Sequence, residues 1–313
     1  MKKTNMLWIN FLHLYQPVHT DAHIIKEATE MSYWRLVRAL EEHPRTKFTL
    51  NISGCLFLRW EELGYSDLIK RIGGLVERGQ VELTGSAAYH PLLPLIPEEE
   101  VIKQIKENEE ILKKHFGADF KPKGFFLPEM AYGSSVAKIV KDLGYEWLIL
   151  DEIACCGCLD KVDFSKAYLD KNSGLKIAFR SRKISKSYVP DTLTETIKDK
   201  KDSSTPIITA TDGELYGLRH NDPTAVFEKL LDNKKLQTQT ISEFLNGRTT
   251  EEVVPVACSW ETTEEEIKAK KPYALWHDKK NKIQNKIWDL AFLAYNILKK
   301  YQNDKNYSWA RWH

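Results

Sequence analysis

Two carboxylates in this chain each close an apolar run. Glu129 follows Gly124 to Leu127 and Pro128, and Asp212 follows Ile207 to Thr211. Brought a few ångströms apart, such a pair can cleave a glycosidic bond, one group as nucleophile and the other as acid and then base. Other chemically capable residues also follow apolar runs. His13, Tyr15 and Gln16 come after the first, Tyr89 and His90 after the third, and Tyr132 just beyond Glu129. Glu214 and His220 follow Asp212, and Trp260 follows the last run. Aromatic rings stack on the C–H faces of sugars, while carboxylates and histidines bind sugar hydroxyls. Taken singly, each residue has a plainer role. Asp-Gly is a turn dipeptide, Pro-Glu opens a helix, and a lone His13 or Trp260 packs a core. Their shared place after apolar runs selects the chemical reading.

The elements that would position them are legible from the pattern. Leu7 to Leu12, Phe48 to Ile52, Val81 to Thr84, Gly124 to Leu127, Trp147 to Leu150, Ile207 to Thr211 and Val254 to Cys258 are short and lack polar alternation. They read as strands buried on both faces, as in a parallel sheet. Between them, Ser32 to Glu42, Ser66 to Arg78, Glu98 to His115, Ser135 to Leu143 and Thr224 to Leu231 carry helical spacing. Strand then helix, about seven times over, predicts an α/β fold, a (β/α)7 barrel of incomplete TIM type, with a doubly wound sheet as the alternative. Chemistry in such a barrel sits where the strands end. The barrel is expected over 1–278, with an excursion around 160–202 that takes in weaker strand signals near Ala167 and Leu175 to Phe179. A short C-terminal helical segment, 279–313, carries Ile283, Ile287, Leu290, Leu293 and Ile297 at helical spacing. It is expected to pack on the barrel exterior or to begin a helical appendix.

Composition narrows the class. The 313 residues include 46 Lys+Arg and 44 Asp+Glu, and the formal net charge of +2 disfavours a nucleic-acid protein held by a basic face. No run of 18 apolar residues suggests a membrane span, and Asn10 and His13 break up the apolar N-terminus, so it reads as a core strand and not a signal peptide. Five cysteines, three of them crowded at Cys155, Cys156 and Cys158, do not make a disulfide framework, and a cytoplasmic location is expected. That cluster lacks a second ligand pair at zinc spacing, and no calcium motif is present. Neither metal nor cofactor is expected.

Five segments in order resemble glycoside hydrolase family 57. His13-Leu-Tyr15-Gln16-Pro17 is similar to the family's His-x-His-Gln-Pro, and Gly54-Cys55-Leu56 to its Gly-Ser-Leu. Phe126-Leu127-Pro128-Glu129 resembles Trp-Leu-Pro-Glu, and Asp212-Gly213-Glu214-Leu215-Tyr216-Gly217 resembles Asp-Gly-Glu-x-Phe-Gly. Trp260, with Pro272 to Trp276, resembles the fifth motif. Tyr15, Cys55 and Phe126 depart from the pattern, at His, Ser and Trp positions. The resemblance implies a (β/α)7 barrel, a retaining mechanism on α-glucans, Glu129 as nucleophile and Asp212 as acid/base. It implies sugar contacts by His13, Tyr15, Gln16, His90, Tyr132, Glu214, His220, Trp260 and Trp276. The expected activity is α-amylase-like hydrolysis, with 4-α-glucanotransferase or branching activity as the alternative on the same site. A sugar-binding homologue with little or no turnover is a rival of another class, and a metal-dependent polysaccharide deacetylase using His19 and His23 a lesser one. An oligo- or polysaccharide is the expected partner, and homo-oligomerisation is left open. The chain ends at His313, where many family members continue into further helices, so an open cleft, or a partner chain filling that role, is expected.

Overall fold

The first strand, β1 (Met6–Leu14), sends successive side chains to opposite faces, and every residue but one is buried. Trp8, Leu12 and Leu14 enter one hydrophobic cluster, and Ile9 and Phe11 another. His13 continues the Ile9–Phe11 face. This alternation is the device that places the site. The computed structural model describes residues 5–199 and 205–307.

The remaining strands are β2 (Phe48–Ile52), β3 (Val81–Leu83), β4 (Gly124–Phe125), β5 (Trp147–Asp151), β6 (Ala167–Asp170), β7 (Lys176–Arg180), β8 (Ile207–Asp212), β9 (Leu236–Thr238) and β10 (Thr250–Val253). They form two five-stranded sheets. One runs β3-β2-β1-β8, with β9 also pairing β1, and the other runs β10-β6-β7-β5-β4. All pairings are parallel except β6 with β7. The sheets touch at two edges. Gly85, beyond β3, bridges to Phe125 in β4, and Ser181 N–H, beyond β7, donates to the Ile208 carbonyl in β8 at 2.8 Å.

Ile9 and Phe11 of β1, Trp147 and Ile149 of β5, Ala178 of β7, and Ile208 and Ala210 of β8 share one cluster. Continuing each series by two residues reaches His13, Asp151, Arg180 and Asp212. Polar groups therefore cap the apolar interior where the strands end.

Two expectations are corrected. Segment 160–202 does not merely leave the sheet, because β6 and β7 are integral to it and β7 pairs with β5 over five residues; residues 200–202 lie outside the described ones. Val254 to Cys258 is not a strand. Pro255 cannot donate to a ladder, the strand β10 ends before it, and Val254 is 57% exposed.

The amphipathic C-terminal helix runs Lys282–Lys300. Its apolar positions Ile283, Ile287, Leu290, Leu293 and Ile297 face solvent. Tyr295 and Lys299 tie it to Glu99, and Trp288 Nε1 donates to the Trp276 carbonyl. Residues 308–313, the end of the expected helical segment, lie outside the described ones. Among the described residues no helix is long and apolar enough to cross a membrane.

Candidate active site

Glu129 sits in a tight turn after β4, with φ 59° and ψ 17°, in the left-handed region that side chains disfavour. Met130 (φ 48°) and His90 (φ 59°) share this strain. Non-glycine residues hold such angles only where the surroundings overdetermine them, and they gather at functional sites. Here the clamp is visible. His90 Nε2 hydrogen-bonds Glu129 Oε1 at 3.1 Å, and Trp260 Nε1 donates to Oε2 at 2.7 Å. The Trp260 backbone N–H donates to the Glu129 carbonyl at 3.1 Å. Burial pushes the Glu129 carboxyl up, but the His90 contact, the Trp260 donor and the Arg180 charge together hold it below the ordinary carboxylate value.

Asp212 closes β8 in an ordinary extended conformation, φ −66° and ψ 138°. The β1–β8 register sets it beside His13. Arg219 Nη1 donates to its Oδ2 at 2.6 Å. Burial raises the Asp212 carboxyl; the Arg219 charge and hydrogen bond oppose this, while the charge of Glu129 adds to it, and the net direction is up. The two carboxylates are thus close enough to feel each other. Gly217, which ends this loop, has φ +134°, and a Cβ there would lie 2.2 Å from the Met31 carbonyl oxygen.

Three rings stack beside the two carboxylates. His13 stacks on His90 with centroids 4.7 Å apart, and Tyr15 stacks on His90 at 4.1 Å. His13 Nδ1 pairs with Asn51 Oδ1 at 2.9 Å, and Asn51 Nδ2 donates to Thr84. Burial, and then the His90 charge, lower His13 well below an ordinary histidine, so it is neutral at pH 7. His13 Nε2 and His90 Nδ1 are buried without a hydrogen-bond partner among the described residues. Trp260 lies edge-on to His13 at 6.3 Å.

Other residues expected to touch sugar are placed differently. Tyr132 is 1% exposed and donates its hydroxyl to Asp170 at 2.8 Å, so it packs in the core. Gln16 Nε2 donates to Glu214 at 3.0 Å, and the Tyr33 hydroxyl donates to the same oxygen, so Glu214 is held inside. Burial, then the Asp212 charge, lift the Glu214 carboxyl to about 7. His220 stacks on Tyr188 at 3.7 Å. Trp276 sits in the loop before the C-terminal helix, and among the described residues no hydrogen bond or ring pairing joins its side chain to either carboxylate. Arg180, Arg219, Asn51 and Tyr33 belong to the site and were not singled out from sequence. Arg180-Ser181-Arg182 after an apolar run, matching Asp151-Glu152 after another, was the available signal. The cysteines are all free, and among the described residues no group of three or more His, Cys, Asp or Glu is placed to hold a metal, at His19 and His23 or elsewhere.

The sequence matches the family model of glycosyl hydrolase family 57 over residues 5–257. The chain belongs to that family. It is 29% identical over 227 residues to alpha-amylase 1 of Dictyoglomus thermophilum, covering 70% of this chain and 32% of that one. It is 27% identical over 290 residues to the 4-alpha-glucanotransferase of Thermococcus litoralis, covering 84% and 42%. The chain thus spans less than half the length of these curated relatives. In fold it is similar to the family 57 branching enzyme of Thermococcus kodakaraensis, with a TM-score of 0.74 at 18% identity, over 97% of this chain and 82% of the other.

Proposed function

We propose that this protein is a retaining glycoside hydrolase acting on the α-glycosidic bonds of α-glucans. The observation that carries the reading is the opposite bias of two neighbouring carboxylates. His90, Trp260 and Arg180 hold the Glu129 carboxyl below the ordinary carboxylate value, as suits a nucleophile, while burial raises the Asp212 carboxyl, the direction that suits a general acid. In this reading the Glu129 carboxylate attacks the anomeric carbon as Asp212 protonates the leaving oxygen. The resulting glycosyl ester is then opened by water, with Asp212 taking back a proton. His13, Tyr15 and His90 would form the floor under the reacting sugar, and the unpaired His13 Nε2 and His90 Nδ1 would meet its hydroxyls. Trp260 clamps the nucleophile and can offer its ring to substrate.

The same reading takes the two sheets as one seven-stranded barrel of β1, β2, β3, β4, β5, β7 and β8. Its support is the shared apolar interior and the Gly85–Phe125 and Ser181–Ile208 contacts at the two seams. Transfer to a sugar hydroxyl uses every residue named here, and the likeness to a 4-alpha-glucanotransferase over 84% of this chain favours it as the second reading.

The test is product analysis by NMR on maltooligosaccharides and soluble starch, with Glu129→Ala and Asp212→Ala alongside. New α-anomers from the wild type alone are expected. Chains shortened without lengthening mark hydrolysis, and lengthened chains mark transfer. A folded wild type that turns over no α-glucan rejects the proposal in favour of a sugar-binding role.

A further inference from the structure

We propose that Arg180 is the positioning residue of this site: its guanidinium ties the indole that clamps Glu129 to the strand that carries Asp212. The inference rests on the assignment of Glu129 and Asp212 as the working carboxylates.

Arg180 closes β7 and is 4% exposed. Its Nε donates to Asp151 Oδ2 at 2.8 Å, and its Nη1 donates to the Ala210 carbonyl at 2.7 Å. Its Nη2 donates to the Trp260 carbonyl at 3.4 Å, and the guanidinium carbon lies 4.9 Å from the Trp260 ring centroid. Trp260 in turn gives both its indole N–H and its backbone N–H to Glu129. Ala210 stands two residues before Asp212 on the same inward face of β8. One planar group therefore touches the support of the nucleophile and the strand of the acid, and Asp151 fixes that group from behind. Asp151 also accepts from Arg182 Nε at 2.9 Å, and Glu152 accepts the Arg182 backbone N–H at 2.7 Å, so two buried cations and two buried carboxylates balance there. The geometry demands arginine. Lysine carries the charge but has neither the fork of donors nor a flat face to lie on the indole.

The charge and the geometry can be separated. The variants are Arg180→Lys, Arg180→Gln, Trp260→Phe and the Arg180→Lys/Trp260→Phe double. They are assayed on an aryl α-maltooligoside for kcat and KM, with folding checked by near-UV circular dichroism. The Glu129 carboxyl is titrated by 13C NMR in each, with its signal assigned by its loss in Glu129→Gln.

A displacement of about 1 Å at reacting groups costs about 10²-fold. Arg180→Lys is expected to lower kcat by about that factor, with KM within about threefold, and to leave the Glu129 midpoint in place. Arg180→Gln is expected to lower kcat and also to raise that midpoint by about one pH unit. Trp260→Phe, which keeps the Arg180–Asp151 pair, is expected to raise it as well. The double variant should be no slower than its slower parent, because both changes break one link.

A folded Arg180→Lys with wild-type kcat overturns the proposal, as do single losses that multiply in the double. If the Arg180 variants fail to fold, an unmoved Glu129 midpoint in Trp260→Phe overturns it too. A wild type without turnover rejects the underlying assignment, whereas the NMR titration still decides on the link itself.

Discussion

Around Glu129, an imidazole, an indole N–H and a buried guanidinium oppose burial, and they prevail. Around Asp212, one guanidinium that is 55% exposed, and after it the His90 charge, oppose burial, and they do not. The backbones differ in the same sense. Glu129, His90 and Met130 are held in the left-handed region, while Asp212 merely continues β8. In the proposed reading, two neighbouring carboxylates take opposite roles through the number and burial of their donors, not through their own chemistry. Strain is concentrated on the side that must be held still.

The sharpest way to test that contrast is to remove each side chain to glycine. Glu129→Gly is expected to lower kcat/KM by at least about four orders of magnitude, since no other group replaces a nucleophile. It should nonetheless be more stable than Glu129→Ala by about 1 kcal/mol, because both lose the hydrogen bonds to His90 and Trp260 and only glycine adopts φ 59° without strain. Asp212→Gly gains no such relief and should melt lower than wild type. Calorimetry and rate measurements on these variants check this, and a Glu129→Gly no more stable than Glu129→Ala would break the claim that strain sits on that side.

Asp212→Asn keeps the shape but cannot deliver or recover a proton. A loss of about 10²–10⁴-fold in kcat is expected. An aryl substrate with a good leaving group should recover much of the first step, because it needs little protonation. Equal losses on good and poor leaving groups would take the acid role away from Asp212.

Glu214 extends the comparison to a third carboxylate, buried deeper and raised to about 7. Its folded value lies above its unfolded one, so the stability tied to its proton is full below about pH 4.5. That stability is lost as pH rises through about 7, an amount on the order of 3 kcal/mol. In Glu214→Gln that loss vanishes. The variant should therefore gain on wild type between pH 5 and pH 8 in paired urea melts. A constant offset across that range would mean that Tyr33 and Gln16 keep Glu214 ionised.

How far the site could be read from sequence follows from the same geometry. A strand tells which residues share its inward face, so His13 and Asp212 were legible from the runs before them. Glu129 and Trp260 were also singled out by the runs before them, although the turns that hold them have no period and the run before Trp260 is not a strand. Sequence does not say where a loop side chain turns. Tyr132 follows Glu129 by three residues, yet its hydroxyl goes to Asp170, and Gln16 and Glu214 satisfy each other inside. Arg180 was hidden because its strand lies in a polar stretch that reads as an excursion, and the pairing with β5 that makes it central is a long-range fact. The two-sheet pairing was hidden for the same reason; the Lys282–Lys300 helix was legible from its spacing, but not that its apolar face turns out.

The smallest expected effect isolates Arg219. Its cation lowers Asp212 but does not overcome burial, and it is more than half exposed, so solvent screens it. The proposed mechanism needs Glu129 ionised and Asp212 protonated. The rate should therefore rise with pH through the Glu129 midpoint, below the ordinary carboxylate value, and fall through the raised Asp212 midpoint. Removing the cation in Arg219→Ala raises Asp212 further, so the alkaline limb of kcat/KM should move up by about half a pH unit while the acid limb stays. Added salt should move the wild-type limb the same way and leave the variant unmoved, because there the screened charge is already gone. A limb that moves down, or an acid limb that moves instead, would mean that Arg219 acts on Glu129 and that the two surroundings are not as separate as their donors suggest.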